Sequence, residues 1–251
     1  MEFVFVLLNA GNGFMGFYGF PGMFYRMDPT YSLVVIGAVI CMIASANVSR
    51  SFSKYSRYGC KRGTTGAQAA EKILHDAGIY DVQIRHISGD LTDNYNPGNK
   101  TLNLSDSVYG SSSIAAVGVA AHECGHAIQH NVGYIPIKIR SAIVPVVNLG
   151  SKLSWPIIIL GVILGSFNML NIGILLFALT LVFQIVTLPV EFNASSRALK
   201  MLGSSGMLGA DEVKGARKVL TAAALTYVAA LASSILQLLR LIILAGGRDR
   251  D

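Results

Sequence analysis

The stretch LSWPIIILGVILGSFNMLNIGILLFALTLVFQIVTLPV, residues 153–190, carries no charged side chain and is too long for one membrane crossing. A spanning helix needs about 20 mainly apolar residues. Polar, turn-forming residues interrupt this stretch at 166–171. The sequence therefore predicts a helical hairpin, assigned to residues 141–190, whose first helix ends near Gly165 and whose second begins near Asn171.

Two further charge-free stretches bring the predicted spans to four. The first transmembrane helix is assigned to residues 31–49, and the fourth, with the C-terminal tail, to residues 219–245. Hydrophobic residues make up 52% of the 251 and charged residues only 14%, whereas ordinary soluble proteins carry about 25% charged residues. These features predict a membrane protein.

The N-terminal segment, residues 1–30, has a different character. It is rich in aromatic residues and glycine, and no basic region with a small-residue cleavage site marks it as a signal peptide. We predict a segment lying in the membrane interface, with a fifth span as the alternative.

The net charge of +6 is concentrated in the segments that flank the predicted spans. If the spans alternate in direction, every basic cluster falls on one side of the membrane, and an excess of Lys and Arg marks the cytoplasmic side. The charge thus reports topology, and no nucleic-acid partner is expected because no nucleic-acid-binding module accompanies it. The basic residues concerned are Arg50, Lys54, Arg57, Lys61, Arg62, Lys138, Arg140, Lys152, Arg197, Lys200, Lys214, Arg217 and Lys218.

The pentapeptide HECGH, residues 122–126, places two imidazoles and a carboxylate at the spacing of a zinc-hydrolase helix. Positions i and i+4 of a helix lie on one face, so His122 and His126 can reach one metal ion while Glu123 points at a metal-bound water. A shuffled chain would contain this pattern only about 0.002 times. The sequence predicts His122 and His126 as zinc ligands and Glu123 as the catalytic base, with Cys124 projecting away from that face.

Residues 50–136 hold most of the polar side chains and predict a small soluble α+β domain around the metal helix. A helix is expected after Thr64-Thr65-Gly66, and alternating residues predict strands at 82–87 and 100–105. A strand edge can hold a peptide substrate in extended form. The candidate substrate-binding residues are Thr101, Leu102, Asn103, Leu104 and Ser105.

A catalytic zinc ion takes three protein ligands and keeps a fourth position for water, so a third ligand is needed. Glu191 is the stronger candidate because it follows Pro189 at the end of the third predicted span, where an ionisable group is costly without a partner or a role. An interfacial ion pair with Arg197 is the alternative for Glu191. The other open candidates are His75, His86, Asp90 and Asp93.

Several motifs together resemble the bacterial membrane zinc metallopeptidases of the YugP type. The resemblance covers roughly residues 28–251 and implies a zinc metallopeptidase with several spans. The motifs are TTGA at 64–67, the stretch 93–109, GVAAHECGHA at 118–127, PVEFNAS at 189–195 and LTYVAA at 225–230.

A more distant likeness is to the gluzincin membrane proteases that include HtpX and the CAAX prenyl endopeptidases. Their third ligand is the Glu of an E-x-x-A-D motif after a helical hairpin, which implies Glu191 as the ligand within the segment 191–218, with Ala194 matching. Ser195 stands where that motif has Asp, and Asn193 is the nearest polar substitute. The resemblance leaves open which residue orients the ligands.

These observations predict a mainly α membrane protein with about four transmembrane helices and a small α+β HExxH metalloprotease domain on the cytoplasmic side. The predicted activity is a zinc-dependent metalloendopeptidase with one catalytic Zn²⁺, in which Glu123 takes a proton from zinc-bound water. Its partners would be protein or peptide substrates associated with the lipid bilayer; the oligomeric state stays open. Arg197, Tyr134 and His86 are open candidates for stabilising the oxyanion.

Two other classes of protein remain as alternatives. A catalytically silent zinc-binding membrane scaffold or adaptor would keep the metal ligands without needing Glu123. A transporter or channel should place ionisable residues inside several spans, and here only Arg240, at the end of the last one, does so.

Overall fold

The structure, a computed structural model, describes residues 28–247. The prediction for residues 1–30 therefore falls almost entirely outside the described residues. The elements follow in the order α1 (Tyr31–Tyr55), α2 (Gly66–Asp76), β1 (Gln83–Ile87), β2 (Asn94–Asn96), β3 (Thr101–Ser105), α3 (Ile114–Asn131), α4 (Ile135–Ile163), α5 (Phe167–Ser204) and α6 (Ala210–Gly247).

Four helices, α1, α4, α5 and α6, are long and apolar enough to cross a membrane, as the sequence predicts. Helix α4 packs against α5, and α1 packs against α6. Contacts between α5 and α6 join these two pairs. Gly161 lies at the α4–α5 contact, where a Cβ would stand 2.8 Å from the Leu170 nitrogen. This close approach aligns the two helices of the hairpin.

The hairpin turn is shorter than predicted, because the Ser166 side chain accepts a hydrogen bond from the Met169 amide and starts α5 at Phe167. Helix α5 then continues through Pro189 to Ser204. The predicted segment boundary between residues 190 and 191 thus falls inside one continuous helix, and Glu191 belongs to the helix that spans the membrane.

The part that lies outside the membrane bundle is a three-stranded sheet with two helices. The strand order is β1-β3-β2, with β1 parallel and β2 antiparallel to β3. Helix α2 begins with a capping box between Thr65 and Gln68. The apolar faces of α2 and β3 cover α3, which makes the small α+β domain predicted around the metal helix.

Helix α3 connects this domain to the membrane bundle. Ser113 caps its N-terminus, and small side chains let neighbouring helices approach closely. A Cβ on Gly118 would lie 3.3 Å from the Ala216 Cβ of α6. As a result α3 is buried along almost its entire length, with α2 on one side and α5 and α6 on the other.

Candidate active site

Three side chains predicted as metal ligands converge between α3 and α5. The Nε2 atoms of His122 and His126 lie 3.3 Å and 3.6 Å from Oε2 of Glu191. One ligand atom from each residue falls within 4.8 Å of the others, a spacing that could hold a metal ion. Two imidazoles and one carboxylate are a common ligand set of catalytic zinc, so the residues fit that ion.

Gly125, inside the pentapeptide, accounts for the approach of the third ligand. A Cβ at this position would lie 2.6 Å from the Ala194 carbonyl oxygen. No real Cβ tolerates that distance, so only glycine allows the two helix backbones to touch. Because Glu191 lies one turn before Ala194, the contact places its carboxylate beside the two imidazoles.

Each histidine is oriented by a hydrogen bond to its second ring nitrogen. Ser195 Oγ lies 3.1 Å from Nδ1 of His122. Gln129 Oε1 lies 3.1 Å from Nδ1 of His126. These bonds hold both rings with Nε2 turned toward Glu191, as outer-shell partners of metal ligands commonly do. Ser195 thus contacts a ligand at the position where the E-x-x-A-D motif has Asp.

Glu191 is 2% exposed and is held by Arg140 of α4. Arg140 Nη1 lies 3.2 Å from Oε1 of Glu191, which leaves Oε2 facing the histidines. The sequence alternative paired Glu191 with Arg197, but the Arg197 Nε donates to Asn193 Oδ1 at 2.7 Å. A buried carboxylate between a guanidinium and two imidazoles is well suited to remain ionised.

Glu123 projects from α3 beside this group and is 2% exposed. Its Oε2 accepts a hydrogen bond from the Tyr95 amide of β2 at 3.0 Å, so the short outer strand fixes the carboxylate. Burial raises the pKa of Glu123 to about 7. A group with such a pKa can both accept and return a proton near neutral pH.

Cys124 takes no part in this ligand group. Its thiol points toward the Ala70 carbonyl oxygen, at 3.6 Å, within the apolar core. Burial raises the pKa of the Cys124 thiol, which keeps it protonated. This agrees with the prediction that it projects away from the ligand face.

The other candidates for the third ligand lie elsewhere. His86 Nε2 contacts Asp106 Oδ1 at 2.7 Å, and the His75 ring packs against Tyr80. Asp93 accepts hydrogen bonds from the Ser105 amide and hydroxyl. None of these side chains, nor Asp90, belongs to the converging group found among the described residues.

The strand Thr101–Ser105, predicted to bind substrate, is the central strand of the sheet. Hydrogen bonds to β1 and β2 occupy both of its edges, and the side chains of Leu102 and Leu104 are fully buried. Its backbone therefore offers little to a substrate. The outer strand next to Glu123 is β2.

Tyr227 is a site residue that the sequence reasoning did not assign. It lies on the wall of a cavity of about 280 Å³ that His122 and Glu191 also line. In the sequence, Tyr227 lies in the LTYVAA stretch, which contributes to the family resemblance but does not indicate a role for the tyrosine. The three proposed oxyanion donors are engaged elsewhere: His86 with Asp106, and Arg197 over the ring of Tyr134 at 6.0 Å.

The fold and site define a multi-span membrane protein in which two histidines of an H-E-x-x-H helix and a glutamate from a spanning helix form a group that could hold a metal ion. The chain belongs to the family described as "Putative neutral zinc metallopeptidase", whose model matches residues 30–246. It is 45% identical over 209 residues to the "Putative membrane protease YugP" of Bacillus subtilis (strain 168), a match that covers 83% of this chain and 93% of that relative. No solved structure matches the chain. The family predicted from the sequence motifs is thereby confirmed.

Proposed function

We propose that this protein is a membrane-embedded zinc-dependent metalloendopeptidase in which His122, His126 and Glu191 hold one catalytic Zn²⁺. The observation that carries the proposal is the convergence of three ligand atoms, on the buried His122 and Glu191 and the partly buried His126, each on a side chain whose other polar atom is already hydrogen-bonded. Such fixed orientation is typical of metal ligands. The descriptions of the family and of the Bacillus relative support zinc and peptidase chemistry.

A zinc ion held here supplies Lewis acidity, which polarises a peptide carbonyl and makes a water molecule acidic. The ligand side chains hold the ion, and their hydrogen-bond partners prevent the imidazoles from turning away. Burial of the site excludes bulk water and strengthens each of these interactions. The protein thus contributes a set of metal-ligand side chains that is fixed in orientation and shielded from water.

Glu123 is the proposed general base. The Tyr95 amide holds one carboxylate oxygen, so the group faces the site in a defined orientation. It accepts a proton from the attacking water and delivers it to the leaving amine nitrogen, and burial, which raises the pKa of Glu123, favours its uptake of the proton.

Tyr227 is the proposed donor to the oxyanion that forms at the scissile carbonyl. Tyr227 lines the same cavity as His122 and Glu191. A hydrogen-bond donor placed before the reaction begins stabilises developing negative charge without reorganisation. Tyr227 therefore replaces the three candidates taken from the sequence.

The charge distribution supports a cytoplasmic active site. The segment that follows α1 reaches the start of α3, where the Cys60 amide donates a hydrogen bond to the Ser112 carbonyl oxygen. The first part of α6 contacts α3 at Gly118. Basic residues are concentrated at these ends, which is typical of the cytoplasmic face. Substrates would then be membrane proteins, or peptides at the inner membrane surface.

The test uses purified, detergent-solubilised protein, with zinc content and cleavage of a quenched, unstructured protein as the two measurements. Glu123→Gln should keep zinc and lose about 10²- to 10⁴-fold in cleavage, because only the proton acceptor is removed. Glu71→Gln, on the exposed face of α2, is the matched control and should retain both.

Unchanged cleavage by Glu123→Gln would overturn the assigned mechanism. Zinc bound without cleavage of any substrate would favour the silent scaffold. A protein that binds no zinc would contradict the proposed metal site itself.

A further inference from the structure

The cavity beside the ligand group is far larger than a metal ion. Its volume is about 280 Å³, and its walls come from α1, α3, α5 and α6 together with residues 90–91 before β2. The walls are mainly apolar, formed by Val48, Phe52, Val119, Leu220, Ala223 and Ala224. It therefore offers room for a large apolar side chain next to the reactive centre.

The cavity has a fixed relation to the metal ligands. His122 and Glu191 form part of its wall, and so does Tyr227. A peptide whose carbonyl lies at the ligands must place a neighbouring side chain within a few ångströms, since consecutive residues advance about 3.5 Å along an extended chain. The cavity is thus where a side chain flanking the scissile bond would lie.

The chemistry of the walls determines which class of side chain the cavity can accept. A charged group would lose its hydration there. Among the described residues that line the wall, the one charged residue outside the proposed ligand group is Asp90, which is exposed. Apolar side chains gain from leaving water. The other polar side chains of the wall carry hydroxyl groups and no charge; they belong to Ser45, Ser49, Ser195, Thr226 and Tyr227.

We propose that this cavity is a specificity subsite that accepts a large apolar side chain adjacent to the cleaved bond. The inference rests on the proposed peptidase function and adds a substrate class to it: peptide segments with residues such as Leu, Met or Phe at this position.

The experiment compares five peptides that differ only in the residue beside a single cleavable bond: Ala, Leu, Phe, Lys or Glu. Cleavage is measured with the zinc-loaded protein, and binding by fluorescence anisotropy with the Glu123→Gln variant. Leu and Phe peptides should be bound and cleaved best, by about 10-fold or more over Ala, since apolar pockets discriminate side-chain size to this extent.

Two variants change the cavity in opposite directions. Ala223→Leu fills the cavity, so cleavage and binding of the Leu and Phe peptides should fall by about 10-fold or more. Cleavage and binding of the Ala peptide should stay unchanged. Val48→Ala enlarges it and should shift the preference toward Phe. Thr221→Leu adds a similar side chain at an exposed position of the same helix and should change neither measurement.

Equal cleavage and binding of all five peptides would overturn the proposed subsite. A preference for the Lys peptide that depends on Asp90 would do the same. So would an Ala223→Leu variant that retains zinc and melting temperature but shows no change with peptide size. If no peptide is cleaved by zinc-loaded protein, the proposed function fails, and the binding measurements still decide whether the cavity selects apolar side chains.

Discussion

Helices α3 and α5 both supply proposed metal ligands, but they do so in different ways. Helix α3 is buried and surrounded by other elements, and the spacing of its two histidines places both on one face of the helix. Helix α5 runs for 38 residues, mostly with one buried stripe, and presents Glu191 only where its backbone touches Gly125. Two of the proposed ligands thus follow from local geometry and the third from a tertiary contact.

The difference indicates where the metal site is vulnerable. A change of a proposed ligand acts on the site directly, whereas a change at the α3–α5 contact acts on the distance between the proposed ligands. The four substitutions below separate these effects by measuring zinc affinity in competition with a chelator.

Glu191→Ala should have the largest effect, because it removes a ligand and leaves Arg140 without its buried partner. We expect zinc affinity to fall well beyond the roughly 10- to 100-fold losses typical of outer-shell changes. The control is Glu71→Ala, an exposed carboxylate of α2. Full zinc affinity in Glu191→Ala would show that another residue completes the site.

Gly125→Ala leaves all three ligands in place and tests the contact that positions them. The new Cβ would meet the Ala194 carbonyl oxygen at 2.6 Å, so the helices must separate. Overpacking of this kind costs about 1 to 3 kcal/mol, and zinc affinity and melting temperature should fall together. Gly110→Ala, where no atom lies within 4 Å of the added Cβ, should change neither. Wild-type zinc affinity in Gly125→Ala would contradict the role of the contact.

Features that depend on neighbouring residues were predictable from the sequence. The four spans follow from continuous apolar composition, and the helix that begins at Gly66 follows from its capping residues. The family resemblance pointed to Glu191, whereas the residue pattern alone left five candidates. The ligand assignments remain proposals, although the structure brings the three side chains together.

Features that depend on residues far apart in the chain were not predictable. The pairing of Arg140 with Glu191 joins α4 to α5, and the cavity needs side chains from α1, α3 and α6. The β3 prediction shows the same limit, because alternation indicates a strand but does not reveal that both of its edges are paired.

Arg140→Gln should have an intermediate effect. It removes the charge that holds Oε1 of Glu191 while keeping a polar side chain of moderate size. Zinc affinity should fall by about 10- to 100-fold, as for other partners of metal ligands. Lys152→Gln removes a positive charge at an exposed position of the same helix and should have no effect. Equal affinities of the two variants would mean that Arg140 does not orient the ligand.

Ser195→Ala should have the smallest effect, because it removes one neutral hydrogen bond to Nδ1 of His122 and leaves every ligand present. We expect a loss in zinc affinity of about 10-fold, at the lower end for outer-shell partners. Ser196→Ala, the same change at the adjacent exposed position, should have none. Ser195→Asp restores the residue type of the E-x-x-A-D motif and should retain zinc, because a carboxylate also accepts a hydrogen bond from Nδ1. If Ser195→Ala binds zinc like the native protein, packing of α3 alone must fix the His122 ring, and the contribution of α5 to the site is then limited to Glu191.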